Sequence, residues 1–153
     1  MLAINPRLVW VLVGGKAEMP EALKGVDQRQ LILIPYTSSV VAILRRCDIY
    51  VNPPAMGGGF SVAEAMAEGL PVVTHAGTDG GDKAGADAVS TDDEYFERLR
   101  VLMENGELRQ DTGNRMRARF EQTLDLAKSG PSLMAAYDAA IGRFRDRSNL
   151  ASS

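Results

Sequence analysis

Short apolar runs bounded by glycine or proline alternate along this chain with stretches whose apolar residues recur at intervals of three and four. Leu8-Val-Trp-Val-Leu-Val13, between Asn5-Pro6 and Gly14-Gly15, reads as a central strand buried on both faces. Leu31-Ile-Leu-Ile34, ending at Pro35-Tyr36, reads as a second buried strand. A third is expected from roughly Asp48 to Asn52, a fourth over Pro71 to Thr74, and a short fifth over Ala86 to Val89. Helices fall between and after them. Pro20 followed by Glu-Ala-Leu suits a short helix stopped by Gly25. Ser38 or Ser39 caps one that aligns Val40, Ile43, Leu44 and Cys47 on one face, leaving Arg45 and Arg46 outside it. Another buries Val62, Ala65 and Met66 and closes at Gly69. Gly77, Gly80, Gly81 and Gly85 predict a long irregular loop. Thr91 and Glu94 form a capping box opening a helix on Tyr95, Phe96, Leu99 and Met103 that ends at Asn105-Gly106. Leu108, Met116, Phe120 and Leu124 define a long amphipathic helix, Gly130-Pro131 breaks the chain, and Leu133, Tyr137, Ala140, Ile141 and Phe144 define a last one. Strands alternating with helices predict an α/β fold, a three-layer α/β/α arrangement around a parallel sheet of about five strands.

The candidate chemistry is densest in Asn52-Pro-Pro-Ala-Met-Gly-Gly-Gly-Phe-Ser-Val-Ala-Glu-Ala-Met-Ala-Glu-Gly-Leu-Pro-Val-Val-Thr74. Gly57, Gly58 and Gly59 leave the backbone bare, so amide N–H groups can approach an anion. Ser61 and Glu64 then match the S-x-x-E capping box of a helix amino terminus. Loop and helix dipole together make a seat for phosphate. A plain strand-to-helix turn shares these features, and Glu64 could be only the capping acid, so the motif alone leaves both readings open. In parallel sheets, ligands lie beyond the carboxyl ends of the strands. Those ends are Gly14-Gly15, Pro35-Tyr36, the Pro53 to Phe60 loop and His75 to Asp82, and clustered glycine recurs among them where sheet packing does not call for it. That convergence favours a ligand site.

At 153 residues and 45% hydrophobic the chain can fill one core, read as a single lobe over residues 1–147 with 148–153 as a frayed tail. A net charge of −3 argues against a nucleic-acid partner. Nine of the thirteen arginines lie between Arg98 and Arg147, but they alternate with acids, which predicts a solvated helical surface with pairs such as Asp111–Arg115 and Arg117–Glu121. The lone Cys47 excludes an internal disulfide and suits a reducing compartment, and it reads as a small buried apolar residue. No apolar run approaches the ~18 residues of a membrane span and the start lacks a signal-peptide pattern, so a cytoplasmic protein is expected. No D-x-D pair ends a strand, so no metal is implied, and no side chain stands out as catalytic.

Leu8-Val-Trp-Val-Leu-Val-Gly-Gly15, Cys-Asp-Ile-Tyr-Val-Asn-Pro-Pro54 and above all Gly-Gly-Phe-Ser-Val-Ala-Glu-Ala-Met-Ala-Glu-Gly-Leu-Pro-Val-Val73 resemble the C-terminal lobe of a GT-B glycosyltransferase of the large, retaining group 1 family. The likeness spans most of residues 4 to 125. It implies a Rossmann-like lobe that binds a UDP- or GDP-linked sugar as donor substrate, with no separate cofactor, for hexosyl transfer to a saccharide or related acceptor in polysaccharide or glycoconjugate synthesis. By match, Glu64 is the second acid of the family's Glu-x7-Glu motif, and its two oxygens suit the two ribose hydroxyls. Gly58, Gly59, Phe60 and Ser61 would hold the diphosphate, Gly14 and Gly15 would let the donor approach the first strand, Lys16 could reach a phosphate, and Tyr36 lies in the segment that lines the base.

Two departures qualify the match. Met56 stands where the motif has its first acid, and the chain starts after the strand and helix that in the family carry an Arg and a Lys onto the diphosphate. The acceptor-binding N-terminal lobe is absent as well, so the chain is expected to be a fragment inactive in transfer by itself, with saccharide acceptor binding left to that lobe and peripheral membrane association of the parent enzyme left open. Single residues have plainer readings too. Lys16 could be solvated, His75 could be a hydrogen-bonded loop residue, and Asp79, Asp82 and Lys83 could serve the loop's turns instead of touching donor sugar or phosphate. A non-catalytic nucleotide-sugar-binding or protein-interaction module, or a sugar-nucleotide epimerase of similar architecture, are the alternatives. The last helix, with Tyr137, Ile141 and Phe144, is expected to fold back on the domain or to meet another molecule.

Overall fold

The computed structural model describes residues 5, 7–14, 21–53 and 59–150. The chain divides into two compact units, Met1–Ile43 and Leu44–Ser153.

In the first unit β1 (Trp10–Val13) and β2 (Leu31–Ile34) pair in parallel, Trp10 opposite Leu31 and Val13 opposite Ile34. A short 3-10 turn at Glu21–Leu23 stands among the described residues where a helix is expected before Gly25, and a second at Gln28–Gln30 leads into β2. The buried Gln30 side chain ties the approach to β1 by donating to the carbonyls of Asn5 and Leu8. Neither strand is buried on both faces as its composition predicts. Leu31 is buried, but Val13 and Ile32 are exposed, so the faces of this ladder are only partly covered. Helix α1 (Val40–Leu44) leads from one unit to the other. It is too short to bring Cys47 onto its face; Cys47 sits in the following turn, its N–H bonded to the Leu44 carbonyl, and burial raises its thiol pKa.

The second unit is built on β3 (Tyr50–Val51) and β4 (Val72–Val73), again parallel, with Tyr50 opposite Val72. Both are shorter than expected, for prolines at 53 and 71 flank them and proline cannot donate to a ladder. The expected fifth strand is a single parallel bridge between His75 and Val89. The described strands therefore form two two-stranded ladders, and not one ladder of about five.

Helix α2 (Gly59–Ala67) buries Val62, Ala65 and Met66, and ends as expected at Gly69, whose φ of +74° closes a Schellman turn with Leu70 N–H on the Ala65 carbonyl. The glycine-marked loop after β4 is instead largely helical. Thr78 caps α3 (Asp79–Ala84) by accepting from Gly81 N–H. Helix α4 (Asp92–Glu104) opens on the predicted box: Thr91 accepts from Glu94 N–H, and the Glu94 carboxylate accepts from Ser90 N–H. Tyr95, Leu99 and Leu102 pack with Val73 and Val89 as the core, whereas Phe96 points out. Asn105 caps α5 (Gly106–Thr123), which lays Thr112, Gly113 and Met116 against the unit.

One expectation about the carboxyl-terminal end, a break at Gly130-Pro131, is overturned. Helix α6 (Leu126–Leu150) runs through Pro131 without a break. Asp125 anchors its first turn, and Pro131 has no N–H to offer the carbonyl of Ala127, an exposed residue. Of the two outcomes expected for α6, folding back on the domain is not the one seen, since Leu133, Met134, Tyr137 and Phe144 remain more than half exposed.

Candidate functional site

Where β3 and β4 end, the chain turns polar and the polar groups lock together. Asn52, only 2% exposed, donates through Nδ2 to Thr74 Oγ1 at 3.1 Å, and its carbonyl accepts from the Tyr95 hydroxyl at 2.8 Å. Burial pushes the Tyr95 phenol up to about 12, so it stays a neutral donor. The His75 ring lies flat on Tyr95, 4.8 Å between centroids, with Nε2 3.3 Å from Asp92 Oδ1. The His75 carbonyl accepts from the Thr78 hydroxyl. The His75 ring thus packs as a loop residue on Tyr95 beside Asp92.

Helix α3 can lie against this cluster only because of its two glycines. A Cβ at Gly80 would stand 2.6 Å from Asn52 Nδ2 and 2.8 Å from Thr74 Oγ1, and one at Gly81 has no room beside the His75 carbonyl oxygen. Gly80 and Gly81 serve close packing, contrary to the view that sheet packing does not call for them, whereas Gly77 adopts φ +71° with nothing near it.

At the amino end of α2, Gly59 is buried beneath the side chains of α3. A Cβ there would meet Lys83 Nζ at 2.5 Å and Asp79 Oδ2 at 3.2 Å. The Lys83 ammonium, which donates to the Asp79 carbonyl at 3.3 Å, therefore rests on bare backbone at the positive end of a helix. Next to it Phe60 is 91% exposed, and Glu64 is exposed further along α2. Ser61 does not cap: it lies inside α2 and its Oγ accepts from the Tyr50 hydroxyl at 2.8 Å, so the predicted Ser61–Glu64 box does not form.

Arginines of α5 hold the ends of these elements. Arg119 donates through Nε to the Lys83 carbonyl and through Nη2 to that of Asp82, lying against Gly85, whose φ is +64°. Arg117 donates to the Ala67 carbonyl at the end of α2, and Arg115 to Asp87 at 2.9 Å. The expected Arg117–Glu121 pair forms, but Arg115 hydrogen-bonds Asp87 in place of Asp111. This face of α5 is a brace and not merely a solvated surface.

Of the residues singled out from sequence, Gly59, Phe60, Ser61 and Glu64 share α2, while Gly14 and Tyr36 lie at the carboxyl end of the β1–β2 ladder. Gly14 has φ +88° and its N–H bonds the Ile34 carbonyl; Tyr36 is 88% exposed. Gly15, Lys16, Met56, Gly57 and Gly58 lie outside the described residues. Asn52, Thr74, Tyr95 and Arg119 were not anticipated. Asn52 and Thr74 do leave a signal, as polar residues ending apolar strands; nothing marks Arg119 among its neighbouring arginines. Among the described residues no three His, Cys, Asp or Glu side chains gather as a metal site would need, and no helix is long and apolar enough to cross a membrane.

Short parallel strand pairs among a majority of helices define a mixed α/β protein. A family model for glycosyl transferases group 1 matches residues 2–105, about two thirds of the chain. The chain belongs to that family, whose chemistry is glycosyl transfer. No curated protein and no solved structure matches it.

Proposed function

We propose that this chain is the donor-binding lobe of a glycosyltransferase of GT-B architecture, which takes a hexosyl group from a UDP- or GDP-sugar to a saccharide or related acceptor. One observation carries the reading: the Lys83 ammonium held against Gly59 at the amino end of α2. The ammonium and the positive end of α2 meet there beside the carboxylate of Asp79, and the doubly charged diphosphate of a nucleotide sugar is an anion that the ammonium and the helix end could hold together. Glu64, exposed on the same helix, has the two acceptor oxygens a ribose diol needs. Phe60, almost wholly exposed beside Gly59, offers an apolar face to the same ligand.

Lys83 joins the residues expected from sequence and supplies positive charge at the helix start. Leaving-group charge would then be stabilised by this ammonium and the α2 dipole. Titration calorimetry with UDP, GDP and their sugars tests the reading. Binding by the wild-type chain should weaken about tenfold in Lys83→Met, the loss of one charge-assisted contact, and Glu64→Gln should weaken nucleotides while leaving inorganic pyrophosphate unaffected. Indifference to every nucleotide and sugar nucleotide would sink it in favour of a protein-interaction role.

A further inference from the structure

We infer that Arg119 is a positioning residue for Lys83, an inference that rests on the donor-lobe reading for its functional consequence but on geometry for its substance. Lys83 reaches Gly59 from the last turn of a six-residue helix, and so short a helix does not hold its own end in place. What holds it is the Arg119 guanidinium, which takes the carbonyls of Lys83 itself and of Asp82, two of the four that a helix end leaves without partners. The chain makes room for this clamp. Gly85 follows α3 at φ +64°, and a Cβ there would lie 2.5 Å from Arg119 Cζ and within 2.8 Å of both terminal nitrogens. The planar fork of arginine spans two neighbouring carbonyls at once, which a lysine's point charge does not. Arg119 comes from α5, outside the span matched by the family model, so the residue governing the ammonium lies beyond the part of the chain the family defines.

With the clamp gone, Lys83 would no longer be kept on Gly59. Two measurements on the full chain separate this from a loss of stability alone. In competitive labelling of lysine amines read by mass spectrometry, Lys83 should be slower than the exposed Lys24 in the wild type and rise toward it in Arg119→Met, with Arg119→Lys between them. In calorimetry with inorganic pyrophosphate, UDP and GDP, Arg119→Met should lose about as much affinity as Lys83→Met, up to about tenfold, and the double variant should lose no more than Lys83→Met alone. Equal Lys83 labelling in wild type and Arg119→Met overturns the inference, as does an Arg119→Met loss of the same size with and without Lys83. A wild-type chain that binds none of the three anions overturns the donor-lobe reading instead, and labelling then still decides whether Arg119 positions Lys83.

Discussion

Replacing Gly80 by alanine sets two effects against each other, and their sizes decide the sign. Gly80 has no positive φ, so alanine is acceptable to its backbone, and a helix interior gains about 1 kcal/mol from the exchange. Against this, the new methyl would lie 2.6 Å from Asn52 Nδ2, 2.8 Å from Thr74 Oγ1 and 3.0 Å from Val62 Cγ2, all closer than ordinary contact. Those neighbours are 2%, 0% and 0% exposed and cannot swing into solvent. Overpacking costs about 1–3 kcal/mol, and forcing apart the Asn52–Thr74 hydrogen bond adds about 1–3 kcal/mol for a buried group left unpaired. The net expectation is a loss of about 3 kcal/mol, roughly 6–12 °C in melting temperature for a chain of this length. Urea and thermal melts followed by helical circular dichroism would measure it. Gly142→Ala is the control: its Cβ meets nothing within 4 Å, so stability should hold or rise slightly. The Asn52→Ala background should reduce the Gly80→Ala penalty by more than about 0.5 kcal/mol, because the two act through one contact. A Gly80→Ala chain as stable as the wild type would refute the account of α3 packing.

Tyr95 should make stability fall in alkali. Its folded pKa of about 12 lies above the ordinary 10, so the folded state holds the proton longer than the unfolded one. The stabilisation is complete below pH 10 and is lost as pH rises toward 12, by up to about 2–3 kcal/mol, whereas Tyr95→Phe should lack that component in matched urea melts. Tyr95→Phe should also cost about 1–2 kcal/mol at neutral pH, since it strips the buried Asn52 carbonyl of its donor, and an unchanged midpoint would count against that bond. Leu133→Gln and Tyr137→Gln, at 63% and 66% exposure, should each alter stability by less than about 0.5 kcal/mol; a clear drop in the melting temperature would mean that α6 is covered. Breaking the exposed Arg45–Glu68 pair with Arg45→Ala should cost at most about 1 kcal/mol, shrinking further at high salt, and a larger loss would argue against a surface role.

Local rules carried the sequence reading furthest where one side chain meets nearby backbone. The Thr91–Glu94 box and the Gly69 turn depend on contacts within a few residues and were legible. Ser61–Glu64 has the same spelling and failed, because α2 already includes Gly59 and the Tyr50 hydroxyl takes the serine. The strand at Leu8–Val13 was legible as a strand but not in its burial, which is set by what covers it. Gly80 and Gly81 look like loop markers in sequence, yet their reason lies in Asn52, Thr74 and His75, which only the packed chain brings near. The candidate site divides likewise. Glu64, Gly59 and Phe60 follow from a contiguous motif, whereas the hold of Arg119 on Lys83 crosses 36 residues and leaves no periodic trace.

The arginine brace also bears on where this protein could be shortened. A cut after residue 105, the limit of the family match, would look tidy on a sequence map. It would remove the donors that finish α2 and α3 and the helix that shelters Gly69, opening to solvent the sides of α2 and α4 that pack on α5. An expression trial ending there should give a product prone to proteolysis and precipitation, while one ending near Thr123 keeps every clamp.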